Sequence, residues 1–174
     1  MIKLDNEKKT FKEKWNEPID KNDLKKTLIR GLIGMILGVI IAVFIDLLLV
    51  RINANFCVGA MIVGSVIGLL ISGGFKEYHI KYSLIAVCYT IVGLILLNLM
   101  RLLAINNFSN IGAILSSGDT YYLVFLYPIR IIHNAIRIGQ FTNYIFAIIE
   151  FVIIIVSIFV AYYVPLKKQS TEEE

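Results

Sequence analysis

The sequence predicts an all-α fold: a polytopic membrane protein with four transmembrane helices plus an outer interfacial amphipathic helix. Three observations carry this prediction. Four long apolar runs dominate the 174 residues, of which 57% are apolar, with a mean hydropathy of +0.75. The basic residues fall on alternate sides of those runs. The first two runs also carry matching stripes of small residues at four-residue spacing. Such a composition leaves little chain for a soluble core.

The runs are Leu28–Val50, Cys57–Gly74, Tyr82–Ile105 and Tyr144–Val164. Each is long enough, or nearly so, to cross about 30 Å of hydrocarbon at about 1.5 Å per residue. Residues 1–27 form a charged cytoplasmic juxtamembrane segment, 28–164 the transmembrane domain, with outer loop and interfacial helix over 106–143, and 165–174 a tail. Threading the chain with its N-terminus inside places 13 of the 17 lysines and arginines on the cytoplasmic side and 4 outside. The positive-inside rule then gives N-in/C-in, multi-pass topology in the plasma membrane.

Residues 1–27 mix eight lysines with six acids, a solvated pattern rather than a nucleic-acid arm. Attraction to anionic headgroups suits it better, with Phe11 and Trp15 one turn apart to dip into the interface. Pro18 separates this tail from the first span, for which Asn22 or Asp23 is the expected cap. The long apolar core without a small-residue cleavage site reads as an uncleaved signal anchor.

The first span carries Gly34, Gly38 and Ala42 and ends on Asp46; the second carries Ala60, Gly64, Gly68 and Ser72. Residues four apart form one ridge of a helix, and small residues there let backbones approach. The two runs therefore read as a hairpin with a GxxxG-type packing seam. Gly73-Gly74 ends the second span, and His79 in the following turn reads as a solvated loop histidine without a role.

The third span presents Asn98 and Arg101 on one face. Residues 106–120 have loop composition, and Asn107-Phe108-Ser109 matches a glycosylation acceptor but reads as plain loop. After Pro128, the residues Arg130, His133, Asn134 and Arg137 make one polar stripe opposite Ile129, Ile132 and Ile136. That pattern predicts a helix over 121–138 lying in the interface, with a re-entrant dip as the alternative. In the last span Ala147, Glu150, Ser157 and Ala161 mark a less apolar face, and Pro165 ends it.

No HExxH, P-loop, GxGxxG or cysteine–histidine metal spacing occurs, so the chain reads as non-enzymatic, without metal or cofactor. Ser65 has no histidine placed to activate it, and Cys57 and Cys88 lie at different depths as apolar fillers. The informative polar residues are Asp46, Arg101 and Glu150, joined by Asn98. Topology puts the three charges about 6–9 Å from the outer ends of three different helices. Intramembrane charges normally face a partner or water. Arg101 pairing with an acid as interhelical glue is the simpler expectation; a polar pocket for an ion, headgroup or solute is the sharper one. Two functions follow. The first is a small protein acting through helix contacts with itself or a membrane partner within the bilayer. The second is an ion- or solute-binding transport protein or subunit with an outward-facing polar site.

Overall fold

The computed structural model describes residues 15, 18–51, 58–105, 111–127, 129, 133, 136–137 and 141–172. Among them the chain is all-helical and contains no strand. The helices are α1 (Lys21–Arg51), α2 (Gly59–Ser72), α3 (Ile80–Ile105), α4 (Ile111–Ser116), α5 (Gly118–Phe125) and α6 (Phe141–Glu172). Three of them contain stretches long and apolar enough to cross a membrane: Lys21–Leu49, Ile80–Ala104 and Tyr144–Leu166.

The second apolar run behaves differently from the expected span. Its helix has 14 residues, or about 21 Å at 1.5 Å per residue, short of the hydrocarbon thickness. Gly73 and Gly74 stop it at one end, where the Gly74 N–H turns back to the Ile71 carbonyl at 2.8 Å. Cys57 and the 52–56 connection lie outside the described residues. Rich in glycine and β-branched residues, α2 has poor intrinsic helix propensity. Burial holds it instead: α1, α3 and α6 all pack against it. Val63, Ile67 and Ile71 on α2 are fully buried, joined by Val39, Ala42, Ala86, Leu97 and Ala161 from the surrounding helices. The long helices are apolar on their outer faces as well. Ile33, Ile36, Ile40 and Phe44 on α1 are exposed, the inverse of a water-soluble helix.

Both stripes of small residues lie inside the bundle, yet they do not face each other. A Cβ at Gly34 would stand 3.1 Å from the Ile67 Cα, and one at Gly38 3.2 Å from the Val63 Cα. The α1 stripe thus meets the apolar ridge of α2. The α2 stripe turns to α6: a Cβ at Gly68 would stand 3.3 Å from the Ala161 Cα, and one at Gly64 would collide with the Ser157 carbonyl oxygen. Ser157 also donates its hydroxyl to the Ala60 carbonyl at 2.5 Å. The less apolar face of the last span is therefore a contact surface. Ser72 sits at the margin, its hydroxyl returned to the Leu69 carbonyl at 2.7 Å.

Pairing along the chain fixes helix direction. Near the start of α1, Asp23 accepts the Lys76 N–H at 3.0 Å, Thr27 packs under Gly74, and the Leu28 carbonyl accepts the Tyr89 hydroxyl at 3.0 Å. Near its end, Asp46 meets Gly59 and Arg101. So α1 and α3 run one way, α2 the other, and α6 runs with α2. The Arg30 guanidinium occupies the space a Gly73 side chain would need, just beyond the C-terminus of α2.

Several boundaries differ from expectation. The first helix starts at Lys21, ahead of the expected caps Asn22 and Asp23, and Asp20 does the capping: its carboxylate accepts the Asn22 N–H at 2.8 Å. Asn22 and Asp23 are already helical. The loop-like segment 106–120 holds α4 and the first turn of α5, which runs on into the segment expected to be helical; Ser117 separates the two helices, and Asp119 favours the new N-terminus electrostatically. Pro165 does not end the last helix, which continues to Glu172. Proline in a helix interior removes the donor to the carbonyl four residues back and crowds that carbonyl, here that of Ala161, yet the helix runs through it. Cys88 is a free thiol exposed on α3. Of the interfacial residues near the N-terminus, Phe11 lies outside the described residues, while Trp15 is exposed with the Lys81 ammonium 5.1 Å from its ring. Asn107 lies outside the described residues too.

Candidate functional site

An α-helix starts with amide N–H groups that lack internal acceptors, and in an apolar surrounding each one is costly to leave unmet. For α2 the preceding residue Val58 offers no side-chain cap. The acceptor comes instead from α1. Asp46 Oδ1 takes the Gly59 N–H at 3.2 Å. Glycine at this position leaves room for the carboxylate: a Cβ there would lie 2.5 Å from Asp46 Oδ2, so one of the two would have to shift. A carboxylate at a helix N-terminus also complements the local dipole.

The second oxygen of the same carboxylate binds α3. Arg101 Nε and Nη2 both donate to Asp46 Oδ2, at 2.8 and 2.6 Å, and Nη1 donates to Asn98 Oδ1 at 3.2 Å. The Asp46 and Arg101 side chains are only 12% and 15% exposed. Asn98 lies one turn before Arg101 and steadies the guanidinium from its own helix. One acid thus contacts three helices near their ends.

Glu150 on α6 takes another partner: the Tyr127 hydroxyl donates to its Oε1 at 2.7 Å. Glu150, Tyr127, Arg101 and Asn98 nevertheless share one cavity of about 210 Å³ between α3, α5 and α6. Its remaining walls are apolar, among them Ile91, Ile95, Phe125, Ile154 and Ile158. From Arg101 to Ile91 the wall follows α3 for about 15 Å. The result is a narrow apolar slot with its polar groups at one end.

Of the polar stripe on 121–138, His133 and Arg137 are exposed, and Arg130 and Asn134 lie outside the described residues. The described members do not line the cavity. Two contributors escape sequence reading. Gly59 is thirteen residues from Asp46, with no periodicity linking them. Tyr127 falls in the segment expected to lie in the interface, and only the structure shows its acceptor, Glu150.

At the opposite end of the bundle a second cavity of about 240 Å³ lies between Pro18–Asp20 and the 76–82 turn. His79, expected to be solvated, is 7% exposed. Its Nδ1 accepts the Lys81 N–H at 3.1 Å, which leaves the imidazole proton on Nε2, buried without a partner among the described residues. Nearby, burial pushes the Tyr78 phenol above its ordinary range, although Ser83 lies 3.1 Å away at hydrogen-bonding distance. Among the described residues no group of three or more His, Cys, Asp or Glu side chains is placed to hold a metal ion.

Comparison with known protein families, with curated proteins and with solved structures finds no match to this chain.

Proposed function

We propose that the chain is a non-enzymatic membrane protein that binds a small amphipathic molecule, as a transport protein or subunit, in the slot between α3, α5 and α6. The cavity carries this reading. Its 210 Å³ exceed the roughly 150 Å³ in which an apolar cavity already holds a benzene-sized guest. A few convergent polar groups at one end of an apolar wall are the usual form of a ligand site. The alternative, contact with a second copy or a membrane partner, had the small-residue stripes as its support. Those stripes are engaged between helices of one chain, which favours the slot.

The proposal includes four crossings of the plasma membrane, N-in and C-in, with α2 as the short crossing. Both ends of α2 reach the levels at which α1 meets polar groups, Asp46 at one end and Thr27 at the other. Lipid then covers the exposed apolar faces, and the slot opens in the outer half. In a background with both native cysteines replaced, a cysteine at Ser117 should react with an impermeant maleimide on intact cells and one at Ser170 should not; the reverse pattern refutes the orientation.

Ligand binding is tested by native mass spectrometry of the full chain in nanodiscs made from its own membrane lipids. A retained amphiphile is expected on the wild type and should be lost on Ile95→Trp, which fills the slot. Equal retention by both, or none by a stably folded wild type, refutes the slot as a ligand site.

A further inference from the structure

We infer that the head group accepted by this slot is a cation, a protonated amine, bound at Glu150. The inference rests on the ligand-site reading above and follows from the charges on the wall. Asp46 and Arg101 cancel, and both Asp46 oxygens are occupied, one by Gly59 and one by Arg101. Among the described residues lining the slot, Glu150 is the remaining charge. Among the described residues it receives a hydroxyl from Tyr127 but no lysine, arginine or histidine within ion-pair distance.

A carboxylate in an apolar surrounding, with one neutral donor on one oxygen, has acceptor capacity left over. A ligand supplying N–H donors with a positive charge meets that capacity and removes the unbalanced charge together. An anionic head would instead stand against the Glu150 carboxylate, while the Arg101 charge is already balanced by Asp46. A neutral hydroxyl head could bond but would leave the charge in place. The apolar walls formed by Ile91, Ile154 and Ile158 extend away from Glu150 and suit a hydrocarbon substituent on the amine. The fitting class is a primary or secondary alkylamine, or a lipid-like molecule ending in one.

Three probes that share a tail and differ in head test this directly: decylamine, decanol and decanoate at neutral pH. Each is titrated onto the full chain in nanodiscs of zwitterionic lipid, with binding read by native mass spectrometry against empty nanodiscs. Decylamine should bind at least about tenfold tighter than either of the others, and Glu150→Gln should bring it down to the decanol level. Glu150→Asp, which keeps the charge, should keep the amine preference and guards against a glutamine variant that fails to fold. Equal binding of the three, or a preference for decanoate, overturns the cation while leaving a ligand slot. Amine preference that survives in folded Glu150→Gln also overturns it. If none of the probes binds and the protein also retains no native amphiphile, the slot reading itself fails, and the inference with it.

Discussion

Asp46 and Gly59 belong to different helices, and the carboxylate of one closes the open amide end of the other at 3.2 Å. A charge that looks expensive inside an apolar run is therefore a cap supplied from outside the helix it serves. Arg101 then balances it, with two donors on the second oxygen.

This arrangement predicts coupling. Asp46→Ala should strand both Arg101 and the Gly59 N–H, and breaking one side of a buried pair costs about 3–5 kcal/mol. Asp46→Asn combined with Arg101→Leu keeps an acceptor for Gly59 and removes the orphaned charge. Thermal unfolding in mild detergent should place this double variant nearer the wild type than Arg101→Leu alone. Losses that simply add would mean that the two residues do not act as a pair.

Gly59→Ala places a methyl against the Asp46 carboxylate, and overpacking of this kind costs about 1–3 kcal/mol. Much of that loss should vanish in an Asp46→Ala background, where the obstructing group is gone. An unchanged penalty there would show that glycine is needed for another reason.

The seam between α2 and α6 should respond in graded fashion. Gly64→Ala meets a main-chain carbonyl, which cannot move alone, whereas Gly68→Ala meets contacts at 3.1–3.3 Å that small shifts relieve. The loss of melting temperature should follow that order. Gly112→Ala, with nothing within 4 Å, is the control and should leave it unchanged. Equal stability of Gly64→Ala and Gly112→Ala would contradict the seam.

Burial raises the Tyr78 phenol above the ordinary value of 10.0. A folded-state value above the unfolded one means that the folded form holds the proton more tightly. Stability is then intact below the unfolded value and falls as pH rises through the folded one. Unfolding in urea between pH 9 and pH 12 should show this decline, and Tyr78→Phe should flatten part of it. An identical pH profile for the variant would assign the decline to other groups.

The long apolar runs were legible because composition alone decides them: no polar residue interrupts Leu32–Ile45 or Phe151–Val156. The charges inside the apolar runs were legible for the same reason, standing out against apolar neighbours. Which partners they take was not, since Asp46 reaches Arg101 across 55 positions and no local pattern encodes that distance. The stripes show the same limit. Four-residue spacing identifies Gly34 and Gly64 as close-contact positions, but it does not say whether two stripes face each other or one of them turns to a third helix. Gly64 chose α6 because Ser157 and Ala161 are small there as well. His79 was misread because a short polar turn normally lies in water, whereas Phe75 and Tyr82, stacked at 4.7 Å, build an apolar cover beside it.

Arg30 and Asp46 sit sixteen residues apart on one helix, about 24 Å at 1.5 Å per residue. They stand at the two ends of the shorter α2, one beside Gly73 and one on Gly59. The first helix therefore acts as a caliper whose jaws are set by residue count. One residue inserted between the jaws would rotate Asp46 by about 100° and carry it 1.5 Å away, so only one end of α2 could still be gripped. Divergent copies of this chain can exchange exposed apolar side chains between positions 30 and 46, such as Ile33, Ile36 and Ile40, but they should keep the interval itself unchanged in length.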